Sequence, residues 1–170
     1  MEISKRTFCL ATLASGVMLQ PAWASAGLAT PSGPVLLTIH GAIDHKNAGD
    51  EAQFDREMLK DLDWVEIETY TSFTSGLQRL AGPTLASVLA AVGVRGGQMA
   101  ASAINDYTVS IPVADAAEHD VILAMDMNGK PMRVRDKGPI WVVYPLSEDE
   151  AEKKTFDAEM IWQLARIRIE

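Results

Sequence analysis

The chain is poor in cysteine, histidine, aromatic side chains and positive charge, and each shortage removes a class of chemistry. Its 170 residues hold one cysteine, Cys9, three histidines, 6% aromatics, and 15 Lys plus Arg against 23 Asp plus Glu, a formal charge of −8. An acidic body repels phosphate backbones, so nucleic acid is a disfavoured partner. No apolar run approaches the roughly 20 residues that a membrane-spanning helix needs. The remaining profile, 48% hydrophobic and 22% charged with mean hydropathy +0.03, is that of a globular domain.

The lone cysteine lies in a segment expected to be removed. Residues 1–26 carry Lys5-Arg6, an apolar stretch from Thr7 to Leu19, then Gln20-Pro21 and Ala24-Ser25-Ala26. This is the three-part pattern of a secretory signal peptide, with an A-x-A cleavage site. The expectation is an exported, periplasmic protein whose mature chain begins at Gly27. Loss of Glu2, Lys5 and Arg6 leaves 22 acidic and 13 basic residues, a charge of −9. A mature chain without cysteine excludes disulfides, zinc thiolates, cysteine-ligated clusters, c-type haem and any thiol nucleophile. Residues 27–34, with Pro31-Ser-Gly-Pro34, read as a linker, and 35–170 as one domain, too short to include a separate cofactor domain.

Hydrophobic periodicity supplies the elements. Val35–Ile39 reads as a buried strand, Gln53–Leu62 as a short amphipathic helix with Asp50 and Glu51 at its N-terminus, and Trp64–Tyr70 as a half-buried strand. Pro83–Gly93 opens with proline and closes with glycine, the asymmetry of a helix. Met99–Ile104 and Tyr107–Ile111 flank the turn pair Asn105-Asp106; Val121–Met127 and Lys130–Val134 flank Asn128-Gly129, a strong hairpin signal. Ile140–Tyr144 and Ile161–Ile169 complete the set as strands, with an acidic excursion at Ser147–Lys154 between them. Roughly seven strands and two or three helices make the class α+β, a mixed and mainly antiparallel sheet structure with helices packed outside it.

Few side chains offer chemistry. His40, Asp44 and His45 could in principle bind a metal, but their spacing matches no strong motif, and a strand end with a polar turn accounts for them. Ser72-Phe73-Thr74-Ser75-Gly76 has hydroxyls without a G-x-S-x-G elbow, which argues against a serine hydrolase. Lys130, Arg133, Arg135 and Lys137 form a basic run in an acidic chain. On a strand, Arg133, Arg135 and Lys137 would project to one side, suited either to an anion or to protection of a sheet edge.

An ordered set of short segments carries a family resemblance. With Asn105-Asp-Tyr107, Asn128-Gly-Lys-Pro-Met132, Arg135-Asp-Lys-Gly-Pro139, Val142-Val-Tyr-Pro145 and Trp162-Gln-Leu, the chain resembles the molybdopterin-binding domain of the sulfite oxidase fold over about Leu77–Ile169. It is similar in particular to small exported members of that group, some of them periplasmic pterin-binding proteins that act with a sensory diguanylate cyclase. The resemblance implies that the enzymes' molybdenum-ligating cysteine would fall in Thr69–Gly76, which contains none. What it then implies is a pterin-shaped cleft without its redox centre.

The chemistry of a pterin points to residue types. Its pyrimidinone edge presents adjacent N–H and NH₂ donors that a carboxylate can accept as a pair, its flat ring favours aromatic neighbours, and its carbonyl wants a donor. Asp106 or Asp136 could supply the carboxylate; Phe73, Tyr107, Trp141 and Trp162 are candidate ring partners; Asn105, Arg133, Arg135 and Thr74 are candidate donors. Each also has a structural explanation: Trp141 and Trp162 as core, Asp136 as a partner of Arg135, Asn105-Asp106 as a plain turn. Two functions follow. One is a non-catalytic periplasmic protein that presents a reduced pterin, without molybdenum, to the periplasmic domain of a membrane diguanylate cyclase or phosphodiesterase. The other is a molybdopterin-dependent oxidoreductase of the sulfite oxidase superfamily.

Overall fold

The computed structural model describes residues 27–170. The expected signal segment 1–26, with Cys9, lies outside the described residues. Within them, no helix is long and apolar enough to cross a membrane.

Among the described residues, eleven short strands and four α-helices follow one another. They are β1 (Leu37–Gly41), β2 (Glu51–Phe54), α1 (Arg56–Lys60), β3 (Trp64–Thr69), β4 (Gln78–Pro83), α2 (Leu85–Val92), β5 (Gln98–Ala103), β6 (Thr108–Pro112), α3 (Asp115–Glu118), β7 (Ile122–Ala124), β8 (Asp126–Met127), β9 (Lys130–Pro131), β10 (Trp141–Val143), α4 (Glu148–Lys153) and β11 (Leu164–Ile169). A five-stranded sheet has the order β2-β1-β11-β5-β6, a four-stranded sheet the order β3-β4-β8-β9, and β10 pairs with β7. Only β1 and β11 run parallel; the other ladders are antiparallel, as the α+β reading expects.

The alternation on β1 and β11 buries Leu37, Ile39, Leu164, Ile167 and Ile169 on one face and leaves Arg166 and Arg168 on the other. β7 and β10, whose residues are all buried, and α2, which contributes Leu85, Val88, Leu89 and Val92 at helical spacing, belong to the same hydrophobic cluster as that face. Gly82 lets β4 approach β7: a Cβ there would run into the Leu123 carbonyl. At Asn128-Gly129 both residues have positive φ, 50° and 75°, the geometry that joins β8 to β9.

Several expectations need correction. Gln53–Leu62 is not one helix: Glu51–Phe54 pairs with β1, and the helix starts only after Asp55. Ladder pairing overrode a periodic pattern too short to hold a helix alone. Pro83 does not open α2 but ends β4, and Thr84 caps the helix by accepting from Ser87 N at 3.2 Å. The strand expected across Lys130–Val134 stops at Pro131 and gives way to a 3-10 turn at Val134–Asp136, so Arg133, Arg135 and Lys137 share no strand face. Trp162 precedes the last strand instead of lying on it. The acidic excursion is α4, opened by a Ser147–Glu150 capping box.

The 27–34 segment is tied to the body through Asp55, which is 2% exposed. Its Oδ2 accepts from Ser32 N at 2.7 Å and Gly33 N at 2.8 Å, while Oδ1 accepts from Met58 N at 2.9 Å as the cap of α1. These N–H donors, led by Met58, pull the carboxyl down to a pKa of about 2. A group whose folded pKa is depressed stabilises the fold above its unfolded pKa, and that stability is lost as pH falls through the folded value. Asp55→Asn is therefore expected to lower the unfolding temperature at neutral pH. The gap to the native chain should close between about pH 4 and pH 2 in thermal scans. A gap that stays constant over that range would contradict the assignment.

Candidate functional site

Two loops and one corner converge on an apolar cleft of about 300 Å³, at the small end of ligand pockets. Its walls are Phe73 from the β3–β4 loop, Asn105 and Tyr107 from the β5–β6 turn, and Asp157, Met160 and Trp162 from the segment that leads into β11.

Each wall is set by local hydrogen bonding. The buried Thr69 hydroxyl accepts from Leu146 N at 2.8 Å, and Tyr70 N donates to Leu146 O at 3.0 Å, which pins the start of the β3–β4 loop. The Thr71 and Thr74 hydroxyls then stand 2.8 Å apart, Phe73 N donates to Thr71 Oγ1, and the resulting turn directs Phe73 toward the corner. Phe73 meets Trp162 edge to face, with centroids 5.2 Å apart and planes at 86°. Ser72 Oγ donates to Asp157 Oδ1 at 2.8 Å and fastens loop to corner. In the β5–β6 turn, Asp106 takes φ 65° and Tyr107 N donates to Asn105 Oδ1 at 3.2 Å, an Asx turn that leaves Tyr107 57% exposed.

The corner itself is held by backbone. Gln163 N donates to Lys137 O at 3.0 Å, Leu164 N to Ile140 O at 2.9 Å, Val142 N to Ile161 O at 3.0 Å, and Ile104 N to Gln163 O at 3.0 Å. The Gln163 side chain donates to Val134 O at 2.9 Å, so the basic 133–137 loop is latched to the same corner. Lys137 lies with Nζ over the ring of Trp162 at 5.0 Å and over that of Trp141 at 5.6 Å.

The structure thus brings Phe73, Asn105, Tyr107 and Trp162 together and separates the rest. Thr74 faces a second hollow with Tyr70, Thr71, Glu148 and Lys154. Arg133 and Asp136 line a third with Lys130 and Met132, and Arg135 is exposed. Trp141 presents no face to a ligand: it is fully buried and its indole N–H donates to Met160 O at 3.2 Å. Both carboxylates proposed from the sequence are engaged by arginines, Asp106 by Arg166 and Asp136 by Arg133 at 2.7 Å. The hydrogen bond from Arg133 holds the Asp136 carboxyl below its ordinary range, with Arg135 adding to the pull.

The carboxylate that does line the cleft is Asp157, and sequence reasoning missed it. It stands between two elements, where no periodicity marks it. Elsewhere, Asp44 pairs with Arg95 at 2.9 Å and His45 Nδ1 lies 3.0 Å from Ala91 O, which accounts for two members of the His40–His45 cluster. Tyr144 is kept protonated by burial and by its 2.7 Å hydrogen bond to Asp115, outside the cleft.

Phe73, Tyr107 and Trp162 thus wall an apolar cleft that also holds Asn105 and one carboxylate, Asp157, the outline of a candidate small-molecule site. The model of the oxidoreductase molybdopterin binding domain family matches residues 37–153, and the chain belongs to that family. Its fold is that of the sulfite-oxidase-like molybdopterin-binding domains. Among solved structures it is similar to the sulfane dehydrogenase SoxCD from Paracoccus pantotrophus, with 20% identity and a TM-score of 0.59 over 78% of this chain. The match spans 37% of the SoxCD chain. No curated protein matches the chain.

A molybdopterin cofactor has two requirements, a place for the pterin and an anchor for the metal. For the first, Phe73 and Trp162 offer ring faces and Asp157 an acceptor. For the second, residues 69–76 and all other described residues contain no cysteine, and the described residues hold no cluster of three His, Asp or Glu placed to bind a metal. The hydroxyls of Thr69, Thr71 and Thr74 are spent on internal hydrogen bonds. The donor set does not fit thiolate-held molybdenum.

The two tryptophans should separate in a denaturant titration. Trp141→Ala empties a fully buried site and is expected to cost about 3–5 kcal/mol. Trp162→Ala, at a residue 40% exposed, should cost on the order of 1 kcal/mol, the scale of one aromatic pair. Equal losses would contradict this division between core and cleft.

Proposed function

We propose that the domain binds a pterin ring in the cleft of Phe73, Tyr107, Asp157 and Trp162. Asp157 is the acceptor for the paired N–H and NH₂ donors, Phe73 and Trp162 flank the ring, and Asn105 meets polar substituents at the rim. The observation that carries this reading is the meeting of those aromatics with a single carboxylate in a cleft that offers no thiolate. A paired carboxylate contact suits the pterin edge, and leaving its donors buried and unpaired costs on the order of 1–3 kcal/mol.

Two roles are open to such a domain. Family membership supports a molybdopterin-binding oxidoreductase-type domain more directly than it supports a non-catalytic presenter. The absence of cysteine among the described residues favours the presenter, in which a reduced pterin is displayed in the periplasm to a membrane sensor such as a diguanylate cyclase or phosphodiesterase. Export of that kind rests on the leader pattern of residues 1–26, and the sensor rests on the family resemblance.

Calorimetry with a reduced pterin tests the shared claim and elemental analysis tests the division. Asp157→Asn should weaken binding roughly tenfold to a hundredfold with the fold intact, whereas Asp106→Asn should leave it unchanged. Protein purified from a host that makes the cofactor is expected to carry pterin without stoichiometric molybdenum. Near-equimolar molybdenum would select the oxidoreductase role, and an unaltered affinity in Asp157→Asn would refute the assigned contact.

A further inference from the structure

The carboxylate in the cleft is held differently from those on the neighbouring loops. Asp106 is engaged by Arg166 and Asp136 by Arg133, so a guanidinium neutralises each of them. Asp157 takes part in none of the ion pairs among the described residues. Its Oδ1 accepts one bond, from the Ser72 hydroxyl at 2.8 Å. A hydroxyl orients a carboxylate without cancelling its charge, and it occupies one of roughly four lone-pair sites, leaving the others for a further donor.

Ser72 is exposed, yet its neighbours on both sides are fixed. Thr71 is buried, its hydroxyl stands 2.8 Å from that of Thr74, and it accepts from Phe73 N at 3.2 Å. Just before it, Tyr70 N donates to Leu146 O at 3.0 Å. Just after it, Phe73 meets the ring edges of Trp162 and Trp141, with centroids 5.2 and 6.4 Å away. The Ser72 hydroxyl is thus carried to Asp157 by a backbone that is tied down at each end. The last torsion of an aspartate is soft. In a cleft with one carboxylate, whatever fixes that torsion decides whether both oxygens can face a ligand together.

Resting on the reading of the cleft as a pterin site, we propose that Ser72 is a positioning residue that sets the plane of the Asp157 carboxylate. The cleft thereby selects flat rings with an amino group beside a ring N–H over analogues in which a carbonyl replaces that amino group. With the plane set, the two oxygens meet the two donors at once. A carbonyl at the amino position would instead set an acceptor against a carboxylate oxygen, which loses one bond and adds a repulsion. Ser72 is not among the residues that wall the cleft, so its effect passes through Asp157.

The test is calorimetry with 6-methylpterin and 6-methyllumazine, which differ in that amino group, each in its oxidised and its tetrahydro form. The ratio of the two affinities is read in the reduction state that binds more tightly. The pterin is expected to bind about tenfold or more ahead of the lumazine. Ser72→Ala should cut that ratio about fivefold, the scale of one hydrogen bond, while moving the lumazine affinity by less than about twofold. Ser72→Thr, which keeps the hydroxyl, should retain the ratio. In an Asp157→Asn background, Ser72→Ala should cost little more, because the two residues act in one chain of contacts. A ratio unchanged by Ser72→Ala, or a loss that persists in full in the Asp157→Asn background, overturns the assignment while leaving the pterin reading in place. Equal binding of pterin and lumazine removes the Asp157 contact and this inference together. Failure of both compounds in both forms defeats the cleft reading itself.

Discussion

The cleft depends on one constraint, the stitching of residues 160–164 to both halves of the fold. β11 must enter parallel to β1 and antiparallel to β5 at the centre of the five-stranded sheet, while Ile161 O and Leu164 N are still bonded to the β10 side. The Ile104 N to Gln163 O and Gln163 N to Lys137 O contacts then draw the β5–β6 turn and the basic loop onto the same five residues. With so many backbone groups fixed, the Trp162 side chain has one place to go, and Phe73, Tyr107 and Lys137 collect around it. Trp141 supports the corner from below through its bond to Met160 O. A polar group removed from that buried region would be left without a partner, which is the costly outcome for any interior.

What was readable in the sequence follows from the range of the interactions. Local signals worked where local forces decide: Asn128-Gly129 made its hairpin, Gly93 ended α2 in the left-handed conformation, and the apolar alternation of the last strand told its buried face. They failed where partners far apart in sequence decide. Asp55 caps α1 while holding Ser32 and Gly33, so the helix boundary and the fixing of the 27–34 segment were one event that no window of ten residues contains. Half of the candidate site was legible because Phe73, Asn105, Tyr107 and Trp162 were chosen for residue type within family-like segments. Asp157 was not, because an acidic residue in an acidic stretch acquires a role only when Ser72, 85 positions away, fastens it to the opposite wall.

Around the cleft, Arg133 and Arg135 point to Asp136 and Arg166 is taken by Asp106, while the Lys137 ammonium lies over Trp162. The family model covers 37–153, whereas the Asp157–Trp162 wall lies beyond it.

The most direct test of the central claim is a crystal structure of the protein with a bound pterin. The expected result is a ring between Phe73, Tyr107 and Trp162, with its N–H and NH₂ edge on Asp157. Density for the ring in the hollow of Thr74, Glu148 and Lys154, or in that of Arg133 and Asp136, would contradict it.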